Sequence, residues 1–402
     1  MNSIIADILL RKIYDSRGRQ TVEARVVTKD GKSEIAMAPS GTSTSKYEAV
    51  AFPSDSVELG IKNFIAKKGK FIGMDVREQE KIDRLLQKID GTGNFSRIGG
   101  NIATAISIAV ARSAANHEGM ELYHYINEAF AKDFAKEKMP RLLGNIVGGG
   151  IHSKSKMKIQ EILVSPNSGS IERDASLNIE MRTELSKELG INCSNIEGAL
   201  VTGYNEEKNL ELVSKLVERY EAKEHTIIDI GVDMAASEYY SMKDEKYSFP
   251  HPMEKSRYFE AVLGLAEKFG IKYIEDPFDA SDFDYFGELS KNLNSVLVVG
   301  DDLYATSRER LLKGIKKKSS NGILIKINQV GTLTDTLDTV RLAKSNGIAC
   351  IVSHRSGETG DTFISHLAVA IGAEFIKCGI FGWERIAKIN ELLRIENLMM
   401  NK

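Results

Sequence analysis

The sequence is short of cysteine, has no excess charge of either sign and holds no long apolar run. Each shortage removes a class of protein. Three cysteines, Cys193, Cys350 and Cys378, are scattered over 402 residues without Cys-x-x-Cys spacing. That is unsuited to a disulfide framework or a zinc cluster and fits a reducing compartment. Lysine and arginine total 54 against 56 acidic residues, a formal charge of −2. No general electrostatic drive toward nucleic acid or an anionic membrane follows from that balance. No apolar stretch approaches the ~18 residues of a membrane span, and even Ile4–Leu10 is interrupted by Asp7. The start lacks a basic segment leading into an unbroken apolar one, so no secretory signal is expected. What is present, 42% hydrophobic and 27% charged residues, suits a sizeable core under a soluble surface. The expectation is a cytoplasmic, globular, two-domain protein.

The first third reads as α+β. Extended patterns cover Ile4–Tyr14, Thr21–Thr28 and Lys32–Ala38, the last two flanking Lys29-Asp30-Gly31, a hairpin signal. After Pro39 comes a small polar loop, residues 40–45, and then helical patterns over Val57–Lys67, Asp75–Ile89, Asn101–Asn116 and Leu122–Phe134. In Asn101–Asn116 small and apolar residues cover nearly every face, which predicts a buried helix. The charged stretch Ala131–Lys138 before Pro140 marks the domain boundary, giving residues 1–134 and 135–402.

Beyond it the rhythm changes. Short runs rich in Ile, Val and Leu alternate with amphipathic segments: Leu142–Val147, Ile159–Val164, Ile227–Val232, Ile271–Ile274, Val296–Gly300, Gly322–Ile325, Ala349–Val352 and Glu374–Ile376. Near-continuous apolar strands separated by helices are the mark of parallel βαβ units, and eight of them predict a closed (β/α)₈-type barrel. The fold class is therefore α/β, a C-terminal eight-stranded barrel behind a smaller N-terminal α+β domain.

Each of the last six runs leads into an ionisable residue: Asp233, Glu275, Asp301, Lys326, His354-Arg355 and Lys377. In a barrel these converge on one rim, where barrel enzymes keep their active sites. The bland alternative, that any strand meets a polar residue on its way to solvent, explains one such position better than six in register. Three neighbouring carboxylates, Asp233, Glu275 and Asp301, form a ligand set suited to Mg²⁺. Salt bridging to the nearby bases is the competing use of the same acids. Lys326 or Lys377, held near another lysine, an arginine and a divalent cation, should have a lowered pKa and could serve as a general base. Arg355 and Ser356 suit a phosphate.

The chain resembles the enolase (phosphopyruvate hydratase) family along nearly its whole length. The resemblance rests on Tyr14-Asp15-Ser16-Arg17-Gly18, Pro39-Ser40-Gly41-Thr42-Ser43-Thr44 and Gln160-Glu161 in the first half. Ile274-Glu275-Asp276-Pro277-Phe278, Gly300-Asp301-Asp302-Leu303 and Lys326-Ile327-Asn328-Gln329-Val330-Gly331-Thr332 continue it. The longest match is Val352-Ser353-His354-Arg355-Ser356-Gly357-Glu358-Thr359 with Asp361-Thr362-Phe363, and the tail Leu392–Glu396 agrees. The resemblance implies an enolase-type barrel, a hydro-lyase of glycolysis and gluconeogenesis, and reversible dehydration of 2-phospho-D-glycerate to phosphoenolpyruvate. It implies two Mg²⁺ per site, the second entering with substrate. Position by position, Lys326 matches the base, Glu197 the acid with Glu161 assisting, and Asp233, Glu275 and Asp301 the first metal's ligands. Ser43 matches a ligand of the second metal. His152, Gln160, Arg355, Ser356 and Lys377 match substrate-binding positions, and His354 and Glu161 are grouped with them. On this reading Glu197 is held protonated by burial or by Glu161, and Gly148-Gly149-Gly150 and the loop at residues 40–45 form mobile flaps. A homodimer, or an octamer built from dimers, is implied.

The chain departs from the family pattern in places. Ile196-Glu197-Gly198-Ala199 stands where Asp-Glu-Gly-Gly is usual, and Gly379–Arg385 is one residue short and lacks a proline. Ser45 replaces a common glycine. Two other readings remain open at this level. One is a related barrel acting on another carboxylate. The other is a binding protein on the same scaffold, displayed at the surface or secreted, for which the terminal Lys402 would suit plasminogen.

Overall fold

The computed structural model describes residues 2–41, 45–150, 153, 155–249 and 251–401. Strands β1 (Ile5–Tyr14), β2 (Gln20–Thr28) and β3 (Ser33–Met37) form an antiparallel sheet in that order. Its Asp-Gly turn closes as the sequence predicts: Gly31 takes φ +84° and the Thr28 hydroxyl donates to Asp30 at 2.6 Å. The buried helix is Gly100–Glu118, packed on β2 and β3. The expected helix Leu122–Phe134 instead ends at Ile126 and passes into one π-turn, Asn127–Ala131. The Asn127 amide holds that turn by donating to Ala135 and Ala370 carbonyls at 3.0 and 2.7 Å. The helix expected from Asp75 begins at Gln79, because Asp75 accepts from the Arg77 backbone and side chain instead of entering the helix.

Eight strands close the barrel: β4 (Arg141–Gly148), β5 (Glu161–Pro166), β6 (Ile228–Asp233), β10 (Tyr273–Glu275), β11 (Leu297–Gly300), β12 (Gly322–Ile325), β13 (Ala349–Ser353) and β14 (Phe375–Gly379). Between β6 and β10 lies a small sheet of β7 (Tyr240–Ser241), β8 (Lys246–Ser248) and β9 (Pro252–Glu254). Leu143, Leu163, Tyr273, Val299, Leu324 and Ile351 fill the barrel interior.

The expectation of eight parallel strands is corrected at one position. β5 runs antiparallel to both β4 and β6, whereas the other barrel pairs are parallel. A parallel neighbour needs a crossover of a dozen or more residues, usually a helix. Among the described residues no helix lies between β4 and β5, while two, Ile171–Leu189 and Glu206–Glu224, lie between β5 and β6. The reversal decides what reaches the functional rim. It places the start of β5, with Gln160 and Glu161, among the C-terminal ends of the other strands, and Glu161 pairs in register with Asp233. The paired helices then carry their connecting loop back to the same rim, where Leu200 bridges Val147.

The N-terminal layer is tied to the barrel by buried polar contacts. Asp83 accepts from the Thr334 amide and hydroxyl at 3.0 and 2.6 Å and from Gln79 at 3.1 Å. Arg112 forks onto Asp361 at 2.8 and 2.7 Å. Burial pushes the Asp83 carboxyl from 3.8 up to about 6, against the lowering effect of Thr334, Ser107 and Gln79. An acid whose pKa rises on folding favours the folded state fully below its unfolded pKa, and that contribution fades as pH climbs through the folded value. Against Asp83→Asn, wild type should therefore lose up to roughly 3 kcal/mol of relative stability as pH rises from about 4 to about 6. Thermal melting across that window tests this, and a constant gap between the two proteins would refute it.

Candidate active site

The strand ends converge as the sequence predicts. Asp233 and Glu275 are the last residues of β6 and β10 and sit side by side in register. Asp301, Lys326 and His354 directly follow β11, β12 and β13, and Lys377 pairs with Ser353 across β13 and β14. One polar cleft is lined by all of these except Glu275, and by Glu161, Glu197 and Arg355.

At its floor the Lys377 ammonium lies 2.6 Å from Glu161, 2.8 Å from Asp233 and 2.8 Å from Glu275, all buried. Gln160 donates to Asp233 at 3.1 Å, and the Tyr273 hydroxyl donates to Glu275 at 2.7 Å. Burial works against the Lys377 charge, but these carboxylates outweigh it and hold its pKa well above the ordinary value. Lys326 is bonded to Asp301, which also accepts from Gln329 at 3.0 Å. Burial again pulls downward and Asp301 outweighs it, so the Lys326 pKa is raised. The lowering expected from the sequence counted a divalent cation beside the lysine as well as the neighbouring bases; with the acids closing on each ammonium, both lysines are raised.

The acids outnumber what two lysines can balance. Burial and Asp233 push Glu275 up to about 8, and burial and Asp301 push Asp302 up to about 7. Acceptor atoms of Asp276, Asp301 and Asp302 lie within 4.8 Å of one another. Oxygen-only, rich in negative charge and buried at Asp276 with Asp301 and Asp302 half-buried, this donor set fits a hard divalent cation. The predicted triad is split here: Asp233 and Glu275 meet on Lys377, and Asp301 turns to Lys326.

Across the cleft, Glu161, Glu197 and His354 form a second cluster, their ligand atoms within 4.8 Å of one another. Two buried carboxyls this close titrate as a pair. Burial pushes Glu161 well upward; Lys377 opposes this and the Glu197 charge adds to it. Burial would raise Glu197 too, but its hydrogen bond with Glu161, with His354, Arg385 and Lys377, holds it below the usual carboxylate range. The pair is thus drawn apart, Glu161 upward and Glu197 downward, by burial and by the charges around each.

Arg355 is anchored through Nη2 to Glu48 at 2.9 Å, and its backbone N–H donates to Glu358 at 2.9 Å. Its Nη1 is buried without a partner among the described residues. A buried guanidinium nitrogen left open suits an anionic ligand. Arg17 donates to the Ser356 hydroxyl at 3.3 Å.

The structure thus brings together Gln160, Glu161, Glu197, Asp233, Glu275, Asp301, Lys326, His354, Arg355, Ser356 and Lys377. Ser43 and His152 lie outside the described residues, as does Lys402. Sequence reading missed Glu48, Asp276, Asp302 and Arg385. Asp276 and Asp302 stand immediately after strand-end acids, and that adjacency could have found them. Asp276 accepts from the Asp301 and Asp302 amides at 2.9 and 2.7 Å and so shapes the turn that presents them.

The two segments that depart from the family pattern pack on each other. Asn195 folds the acid loop by accepting from the Glu197 and Ala199 amides, each at 3.0 Å. Gly198, at φ +85°, lies against Phe381, where an added Cβ would come within 2.5 Å of the Phe381 carbonyl oxygen. Arg182 donates to the Gly198 carbonyl at 2.9 Å and stacks 4.0 Å from the Phe381 ring centroid.

Comparison with known proteins agrees with this architecture. Residues 5–126 match the family model for the enolase N-terminal domain, and residues 136–402 that for the enolase C-terminal TIM barrel domain. The chain is 40% identical over 405 residues to an enolase of Picrophilus torridus, covering 98% of this chain and 99% of that one. It is 41% identical over 401 residues to an enolase of Archaeoglobus fulgidus, covering 98% of each. An enolase of Thermoplasma acidophilum is 38% identical over 405 residues, with 98% of each covered.

Lys377→Met would leave three buried carboxylates without their shared cation. One-sided loss of a buried ion pair costs about 3–5 kcal/mol, so the variant should melt well below wild type in EDTA. Mg²⁺ should raise its melting temperature by more than it raises wild type's. Equal melting of the two proteins in EDTA would refute the role of Lys377.

Proposed function

The chain belongs to the enolase family, and we propose how its residues carry out that family's reaction. The activity is reversible dehydration of 2-phospho-D-glycerate to phosphoenolpyruvate, a hydro-lyase step of glycolysis and gluconeogenesis, and the family depends on Mg²⁺. The observation that carries the residue assignment is one cleft holding Lys326 and the Glu161–Glu197 pair with Arg355.

Arg355 and Ser356 take the phosphate, using the open Nη1 of the arginine, and Gln160, His152 and His354 help hold the substrate. Lys326 removes the proton next to the carboxylate. That step adds charge to a group already anionic, and Lys377 is positioned to stabilise it. Mg²⁺ held by Asp233, Glu275 and Asp301, with a second ion entering with substrate at Ser43, would supply electrostatic stabilisation of the enolised carboxylate. Once Asp301 is engaged elsewhere, Lys326 loses its largest raising partner; Glu275 still raises it, while burial, Arg355 and Lys377 lower it. Departing hydroxide needs a proton. Glu197 delivers it, resupplied from Glu161, which stores the shared proton of the pair.

We take residues 1–134 as a capping domain and 135–402 as the catalytic barrel, acting in the cytoplasm. We also propose a dimer or an octamer of dimers. Tyr14, Phe381 and Trp383 are 64%, 53% and 73% exposed, and such bare aromatic side chains support contact with a second copy. A stable monomer in light scattering at micromolar concentration would overturn that.

Glu197→Gln keeps shape and reach but has no acidic proton to give. It should lose conversion to phosphoenolpyruvate by ~10²-fold or more and still exchange the substrate α-hydrogen with deuterated solvent. Lys326→Ala should lose both. NMR of recovered substrate, beside a coupled assay with Mg²⁺, separates the two. Wild-type exchange in Lys326→Ala or full turnover in Glu197→Gln would refute the respective role.

A further inference from the structure

Arg385 is fully buried in the first turn of the C-terminal helix Trp383–Met400, although nothing in the reaction proposed above requires it. Its guanidinium faces the strand-end segment 354–356. Nη1 donates to His354 Nδ1 at 2.8 Å and to the Arg355 carbonyl, and Nη2 donates to the Ser356 carbonyl at 2.8 Å. His354 Nδ1 also receives the Gly379 backbone N–H at 3.2 Å.

Two N–H donors aimed at one imidazole nitrogen settle the tautomer. A guanidinium cannot give up its proton near neutral pH and a backbone amide cannot accept one, so Nδ1 must present its lone pair to both. In the neutral ring the proton is then on Nε2. Double protonation would set an N–H at Nδ1 against these two donors. The ring is also faced by the charges of Glu197, Glu161, Lys377 and Lys326. Glu197 favours a charged ring, whereas burial and Arg385 oppose it more strongly and the two lysines add to that opposition.

We propose that Arg385 is a positioning residue: its guanidinium fixes His354 as the neutral Nε2–H tautomer and holds the 354–356 backbone, so that the ring stands beside the Glu161–Glu197 pair as a permanent hydrogen-bond donor. This rests on the assignment of that pair as the proton source. A donor that never becomes an acid can hold the departing hydroxyl or Glu197 without competing for the proton being delivered. A histidine free to titrate would take that proton whenever Glu197 released it. The arginine therefore acts on the reaction through the ring, with no contact of its own to the substrate.

The test is long-range ¹H–¹⁵N NMR of the Mg²⁺-loaded protein labelled at histidine, the His354 ring identified by its loss in His354→Gln. Wild type should show a single proton at Nε2 and no titration between about pH 6 and 8, the range in which an unconstrained histidine begins to charge. Arg385→Met should mix the tautomers or take up a second proton in that range. The acid limb of its kcat/KM profile should move to higher pH, with loss of up to about 100-fold near neutral pH. Arg385→Lys, which keeps one donor for Nδ1, should restore the tautomer. Protonated Nδ1 or a titrating ring in wild type overturns the proposal whether or not any variant folds. So does an unchanged ring in folded Arg385→Met. An active enzyme with the wrong tautomer would sink this inference alone, and an inactive one with the right tautomer would sink only the functional reading.

Discussion

The Lys377 ammonium is what allows the catalytic rim to exist as a buried structure. Glu161, Asp233 and Glu275 come from three neighbouring strands, β5, β6 and β10, and their carboxylates are brought together out of water. Unpaired charges at such depth would cost several kcal/mol each. The lysine, reaching in from β14, meets all three within 2.8 Å. The same logic recurs around it with simpler partners: Lys326 on Asp301, Arg355 on Glu48, and Lys388 on Glu358 at 2.8 Å. On the metal assignment proposed above, an entering cation would redistribute this network, freeing lysines from acids as it takes the acids over.

What the sequence made legible was the rim's chemistry along the strands, because a strand end is a local event. An apolar run followed by Asp233, Glu275 or Lys326 is readable within six residues. The eight strand positions were legible for the same reason. The direction of β5 was not, since its strand pattern is symmetric to reversal and only the placement of helices argues for it. The charge surroundings of the Glu161–Glu197 pair and of the lysines were not legible locally, because they are set by groups such as Asp301 and Arg385 that are close in space and distant along the chain. Glu48 escaped notice because nothing near it in sequence marks a residue that meets Arg355 across more than three hundred positions.

Reversal of one strand has a disproportionate effect on the site. A regular barrel offers its loops after each strand, all of one polarity. Turning β5 round contributes a strand start, Gln160–Glu161, and a helix-to-helix loop carrying Glu197 to the same rim. On the roles proposed above, the acid Glu197 and its neighbour Glu161 come from the irregular part of the barrel and the base Lys326 from the regular part, which would house the two halves of the reaction on different architectural units.

The packing of Gly198 on Phe381 couples two stretches that are remote in the chain. The Phe381 carbonyl oxygen occupies the space where a side chain at position 198 would begin. Arg182 closes over both. In laboratory recombination with homologous chains the two behave as a single block. A crossover between residues 200 and 378 would join one parent's acid loop to the other parent's companion segment, leaving a void or a collision beside Glu197. Crossovers on the N-terminal side of Arg182 keep the block whole.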